Sequence, residues 1–138
     1  MNRQEIMTVL PHRNSMLLLD DVVLDGEIAR GEYQVRGDEW FFDGHFPDNP
    51  VTPGVILCEI VAQSACILVR QFATEDTVPY LVEVNHSRFR NLVRPGDKFE
   101  TQCRLVRKRK PFYFFEGKGT VGRRLCVQMN FSVALQPK

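Results

Sequence analysis

The chain has 138 residues, 43% hydrophobic and 25% charged, which suits one globular domain with a real core and leaves little room for a second. A formal net charge of +1 argues against nucleic-acid binding as the main activity, since that ordinarily needs a strong basic excess. The start, MNRQEIMTVLPHR, lacks the apolar run of a secretory signal, and no segment suits a bilayer span, so a cytoplasmic protein without membrane attachment is expected.

In chain order, residues 3–9 read as a short helix stopped by Pro11. Residues 16–24 (MLLLDDVVL) and 27–35 (EIARGEYQV) read as two strands joined at Asp25-Gly26, a strong hairpin signal. Trp40-Phe41-Phe42 and a loop over 43–53 with three prolines follow. Pro53 and Gly54 open a helix expected to reach about Gln71, because the N–H that proline lacks would have no intrahelical partner there. In its centre, VILCEIVAQSACILV, twelve of fifteen residues are apolar, and only Glu59, Gln63 and Ser64 are not. A helix apolar on nearly every side must be covered on nearly every side. Strands are expected over 80–84, 98–107, 112–119 and 125–135, with turns at Arg94-Pro95-Gly96-Asp97, Lys110-Pro111 and Gly122-Arg123. A hairpin, one buried helix and a meander of antiparallel strands fit an α+β fold in which the sheet wraps the helix, with 1–138 as a single domain.

A carboxylate inside such a helix is expensive unless paired or neutral. Glu59 is that carboxylate, and His45 stands fourteen positions before it. Two readings stay open for the pair. His45 caps the local chain while Glu59 meets a buried arginine, or His45 is a general base and Glu59 a general acid kept protonated by its surroundings. Gly54 and Val55 open the helix, so their N–H groups lack intrahelical partners. They either make an ordinary helix start or hold a carbonyl oxygen that gains negative charge, with Gly54 allowing close approach. Gln63, one turn beyond Glu59, can orient it, bond across a subunit interface or satisfy neighbouring backbone.

His12 and His86 have no carboxylate implied by spacing and read as structural. Cys58, Cys66, Cys103 and Cys126 show no metal-ligand spacing and read as reduced and structural. The run Arg107-Lys108-Arg109-Lys110 is a solvated turn or, joined by Arg88, Arg90 and Arg94, a patch for an acidic partner. Tyr80 and the aromatic run Phe112, Tyr113, Phe114 and Phe115 supply either apolar wall or sheet packing.

Leu10-Pro11-His12-Arg13, Gly44-His45-Phe46-Pro47, Pro50, Pro53-Gly54-Val55, Glu59, Ala62-Gln63, Arg88-Phe89-Arg90 and Pro95-Gly96-Asp97 together resemble the FabZ-type (3R)-hydroxyacyl-[acyl-carrier-protein] dehydratases from about residue 6 onward. The resemblance implies a hot dog fold and a lyase of fatty acid biosynthesis, a hydro-lyase giving the trans-2-enoyl thioester by syn loss of water. His45 would take the Cα proton, and Glu59 of the partner subunit would protonate the leaving hydroxyl. The Gly54 amide, with Val55 nearby, would polarise the thioester carbonyl, and Gln63 would support. It further implies a homodimer with shared active sites, with a hexamer of three dimers as the alternative assembly. An acyl carrier protein would dock on basic and apolar surface near a tunnel mouth, with no metal or cofactor.

Two departures stand out. Asn14-Ser15-Met16 replaces the aromatic-Pro-Phe that often follows the first motif, and Thr52 replaces a larger apolar residue before the Pro-Gly step. Both leave chain-length preference and the pathway, primary or polyketide or aryl-polyene, open. Among rivals, the FabA-type isomerases carry Asp at the helix carboxylate, hot dog thioesterases generally lack the histidine before the helix, and MaoC-like hydratases reverse the order of acid and base. A non-catalytic acyl-binding module would have lost one of the two, and both are present.

Overall fold

In the computed structural model, which describes Met1–Lys138, Asn2 opens the first helix, α1 (Arg3–Ile6). Its side chain accepts from the Glu5 amide and Glu5 returns the bond, a reciprocal cap that fixes where the helix begins. The strands are β1 (Asp21–Asp25), β2 (Ile28–Gln34), β3 (Thr77–Phe89), β4 (Lys98–Arg109), β5 (Phe112–Val121) and β6 (Arg124–Pro137). The first hairpin turns one residue later than expected, on Gly26 and Glu27, with Asp25 paired to Ile28 and Gly26 at φ 63°.

The strand expected over 16–24 begins only at Asp21. Asn14–Met16 makes a single 3-10 turn, and Leu17, Leu18 and Leu19 are buried without joining a ladder. Their backbone is satisfied from elsewhere: Leu18 N–H donates to Gln63 Oε1 at 3.0 Å, and the carbonyls of Leu17 and Leu19 accept from Arg3 at 3.4 Å.

All six strands form one antiparallel sheet in the order β1-β2-β4-β5-β6-β3. The expected meander therefore holds for β4, β5 and β6 only. β3 does not pair with its sequence neighbour β4, because the helix carries the chain across the inner face and delivers β3 to the far edge beside β6. That strand is longer than expected and has no neighbour on its outer side.

The helix is α2 (Gly54–Ser64), continued after a break at Ala65 by α3 (Cys66–Val69), shorter than the single run to Gln71. Ser64 Oγ donates to the Val61 carbonyl at 2.7 Å, the side-chain bond that bends helices, and Ala65 N–H turns back to Ala62. α2 lies against β2, β4, β5 and β6, the hot dog arrangement. Ile60 and Val61 are fully buried, each stabilising by about 1.5–3 kcal/mol. The helix sits this close because Gly117 has no side chain: a Cβ there would stand 2.5 Å from Val61. The core cluster holds 31 buried residues. The four cysteines are free and buried, and burial pushes the thiols of Cys66 and Cys103 up to about 12, so neither ionises near neutrality.

Candidate active site

Glu59 lies on the one face of α2 that the sheet leaves partly open, with its side chain 22% exposed. Two side chains hold it. Gln63, one turn on, donates from Nε2 to Glu59 Oε2 at 2.9 Å and to the Met16 carbonyl at 2.8 Å, while its Oε1 accepts from Leu18 N–H. The Leu18 amide can only donate, so it fixes which end of the Gln63 amide is oxygen and aims the other at Glu59. Gln63 is 2% exposed and all three of its bonds are made within the chain.

The second holder is His12, whose Nε2 stands 3.3 Å from Glu59 Oε2. Spacing implied no carboxylate for His12, and the fold supplies one, since a turn forty-seven positions upstream is folded onto the helix. Leu10 is buried beside it, and Arg13 clamps the turn by donating to the carbonyls of Leu10 and His12 at 2.7 Å and of Met7 at 3.0 Å. The carboxylate opens into a pocket of about 160 Å³ whose apolar walls come from Leu10, Ala62, Leu81 and Val133. His86, by contrast, sits exposed at a bulge in β3 with φ 52° and has no part in the site.

The surroundings of His45 are built from backbone. His45 Nδ1 lies 3.0 Å from the Val51 carbonyl, and the Val51 amide donates to the His45 carbonyl at 3.1 Å. A carbonyl only accepts, so Nδ1 carries the hydrogen and Nε2 of the neutral ring holds the free lone pair. The ring stacks on Phe46 with centroids 4.3 Å apart. Three residues after Val51 the helix begins with no side-chain cap, and the first helical amide to find an acceptor is Ile56, to Pro53. The Gly54 and Val55 amides have no acceptor in the chain. A Cβ on Gly54 would meet the Phe89 ring at 2.9 Å, so glycine is needed there for packing as well as for access. Phe46, Val55 and Phe89 leave apolar surface exposed around this side, 75% for Val55.

The turn that leads into Trp40-Phe41-Phe42 is tied down by a residue that the sequence pattern did not single out. Glu39 is 7% exposed and accepts from the Tyr33 hydroxyl at 2.7 Å and the amides of Arg36 and Gly37. Burial pushes its carboxyl up, but those three donors outweigh that and leave it below the ordinary carboxylate range. A carboxylate two residues after glycine and beside an aromatic run was the available signal.

One chain thus brings Glu59, Gln63 and His12 together and holds His45, Gly54 and Val55 as a second group. His45 does not line the pocket of Glu59 and bonds to none of its partners. The expected basic patch also divides. Lys108 shares a row with Tyr113 and Val133, whereas Arg88 shares one with Gln128 and Lys118, five residues along β6.

A family model described as a FabA-like domain matches residues 10–130. The protein named 3-hydroxyacyl-[acyl-carrier-protein] dehydratase FabZ from Petrotoga mobilis is 36% identical over 137 residues, covering 99% of each chain. Its namesake from Syntrophotalea carbinolica is 35% identical over 138 residues, covering 97% of this chain and 94% of its own. Among solved structures, the dehydratase heterocomplex ApeI:P from Xenorhabdus doucetiae superimposes with TM-score 0.80 at 18% identity, covering 96% of this chain and 91% of that one. The fluoroacetyl-CoA thioesterase FlK does so with TM-score 0.70 at 9% identity, covering 85% and 90%. At such identities the structural likeness speaks for the fold.

Proposed function

Because this chain belongs to the FabA-like family and, within it, to the FabZ-type dehydratases, we propose that Glu59 and His45 are its acid and base and that each site draws them from two subunits. The reaction is the dehydration of a 3-hydroxyacyl group on acyl carrier protein, a hydro-lyase step of fatty acid biosynthesis. The whole of 1–138 acts as one domain in this reading, in the cytoplasm. No helix is long and apolar enough to cross a membrane.

The observation that carries the proposal is the separation of the two groups within one chain. Glu59 is held at the inner edge of β3, whose outer edge is unpaired and exposes Tyr80, Leu81, Val82, Val84 and Phe89. A second copy pairing along that edge in two-fold fashion covers this apolar strip and the rim around His45. It also sets His45 of one copy against Glu59 of the other. Further assembly of dimers into a hexamer is compatible with this edge pairing.

The chemistry then follows from the tautomer and the network. His45 Nε2, the free lone pair, takes the Cα proton. Negative charge that gathers on the thioester oxygen is met by the unpartnered amides of Gly54 and Val55 at the positive end of α2. As the Cα–Cβ double bond forms, the C3–O bond breaks, and protonated Glu59, aimed by Gln63, gives its proton to the departing hydroxyl so that it leaves as water. The proton on His45 passes back to Glu59 to close the cycle. The residues supply every proton, so no metal or redox group is needed by this scheme.

The test uses a (3R)-3-hydroxyacyl thioester on acyl carrier protein and follows loss of water to the enoyl thioester. Wild type interconverts the two, and folded His45→Ala and Glu59→Gln variants lose most of the rate. Release of free acid by wild type, the thioesterase outcome, or full activity in both variants would overturn the assignment.

A further inference from the structure

The ring of His12 is bonded on one side only. Its Nε2 stands 3.3 Å from Glu59 Oε2, while its Nδ1 is shut off from water and bonds to nothing. An imidazole ordinarily takes its orientation from a bond through its second nitrogen. Here the turn supplies the orientation instead: Arg13 donates to the carbonyls of Met7, Leu10 and His12, and Leu10 N–H donates to the Ile6 carbonyl at 2.9 Å.

The bare Nδ1 limits the form that the ring takes. A hydrogen on Nδ1, in the other neutral tautomer or in the imidazolium, would be a buried N–H with no acceptor. With the hydrogen on Nε2 alone, the ring's one N–H has an acceptor, and that acceptor is Glu59 Oε2. Gln63 Nε2 donates to the same oxygen at 2.9 Å, and the Leu18 amide fixes that end of Gln63 as the donor. Oε2 therefore faces two donors. Oε1 bonds to nothing in the chain and, unlike His12 Nδ1, is not shut off from solvent. A hydrogen on Oε2 would meet hydrogens, so the acidic hydrogen of Glu59 belongs on Oε1.

Giving that hydrogen away leaves a carboxylate among Leu10, Ala62, Pro79, Leu81 and Val133. Tyr80 is the only other ionisable side chain lining the pocket, and no lysine or arginine does. The new charge has no counter-ion there. It is met by the two donors already set on Oε2, which need not turn during the reaction.

We propose that His12, as a neutral Nε2–H donor, is a positioning residue for the dehydration: with Gln63 it holds Oε2, leaves Oε1 as the oxygen that releases the proton, and stabilises the carboxylate that results. The Oε1–H bond breaks with its electron pair kept by the carboxylate, and the proton joins the departing hydroxyl as water. The proton taken by His45 returns to Oε1. The proposal rests on the reading of Glu59 as the acid and adds which of its oxygens acts and what supports it.

The experiment has a spectroscopic arm and a kinetic one. Long-range ¹H–¹⁵N spectra of histidine-labelled wild type at neutral pH, with His12→Gln to assign the ring, should show a neutral His12 carrying its hydrogen on Nε2. His12→Phe keeps a ring and removes the donor, so kcat on a 3-hydroxyacyl carrier-protein thioester falls about ten- to hundred-fold while KM stays within about two-fold. His12→Gln restores an N–H without a charge and brings kcat back to within about three-fold of wild type. An Nδ1–H or imidazolium spectrum, wild-type kcat in His12→Phe, or His12→Gln no better than His12→Phe would overturn the proposal. If Glu59→Gln keeps the full rate, the acid reading itself fails; if Glu59→Gln is inactive and His12 is indifferent, only the role of His12 does.

Discussion

The two halves of this site, proposed above as its acid and its base, are built by opposite means. Glu59 is held by side chains, with Gln63 and His12 reaching it from α2 and from a distant turn, and every atom of the Gln63 amide engaged inside the chain. His45 is held by backbone, through two bonds to Val51, and its ring faces an apolar rim that its own chain leaves bare. The acid half is finished within one chain and the base half is open. In the proposed reading, a site divided in this way places its precision where the proton donor is aimed and leaves the other half for a second copy to complete.

The comparison can be broken by removing each half. His45→Ala and Glu59→Gln are each expected to lower the dehydration rate by about 10²–10⁴-fold, the usual range for general acid–base groups. Circular dichroism and melting should leave His45→Ala near wild type, because its ring bonds only to one carbonyl.

The acid half should be the more fragile in stability. Gln63→Ala leaves the buried Leu18 amide without a partner, turns the part-buried Met16 carbonyl to water and frees Glu59 to turn. A loss of about 1–3 kcal/mol follows from the one buried amide left without an acceptor, read as a lower urea midpoint. A midpoint equal to wild type would show that water reaches the Leu18 amide and replaces its bond.

At the junction of the halves, Gly54→Ala drives a Cβ to 2.9 Å from the Phe89 ring. The ring or the helix start must move, and we expect about a ten- to hundred-fold drop in kcat with a smaller change in stability. Equal activity would mean that Phe89 swings away freely and that the amide geometry is not critical.

The smallest expected effect concerns the carboxylate that holds the turn before Trp40. Glu39→Gln exchanges a carboxylate that accepts three bonds for an amide, at about 1–2 kcal/mol near neutral pH. The carboxyl is held below its ordinary range in the fold, so its contribution is present above the unfolded carboxylate pKa and lost as pH falls through the folded value. The gap between wild type and variant should therefore close on acidification. A gap constant with pH would assign the effect to packing.

Much of this was legible in the residues. An apolar helix interrupted by one carboxylate, a glycine at its start and a histidine before it marked Glu59, Gly54 and His45, because burial makes such a carboxylate expensive. Alternation and turn residues located β4, β5 and β6 to within two residues. What escaped depends on contacts between distant segments. The place of β3 follows from the side on which the helix delivers the chain, which local pattern does not encode. The run 17–19 reads as strand until Gln63 and Arg3 are seen to take its backbone bonds. His12 had no local partner, and only the fold brings it to Glu59. The basic residues looked like one patch in sequence and are two in space because register, and not proximity along the chain, sets their rows.

The central claim is that acid and base come from different chains, and mixing tests it directly. His45→Ala and Glu59→Gln proteins, each nearly inactive, are combined in equal amounts, exchanged under mild denaturant and refolded. In a two-fold dimer with shared sites, half of the dimers are mixed and each regains one intact site of two, so about a quarter of the wild-type rate should return. Mixed dimers that form, shown by differential tagging, yet stay as inactive as either variant alone would contradict the account.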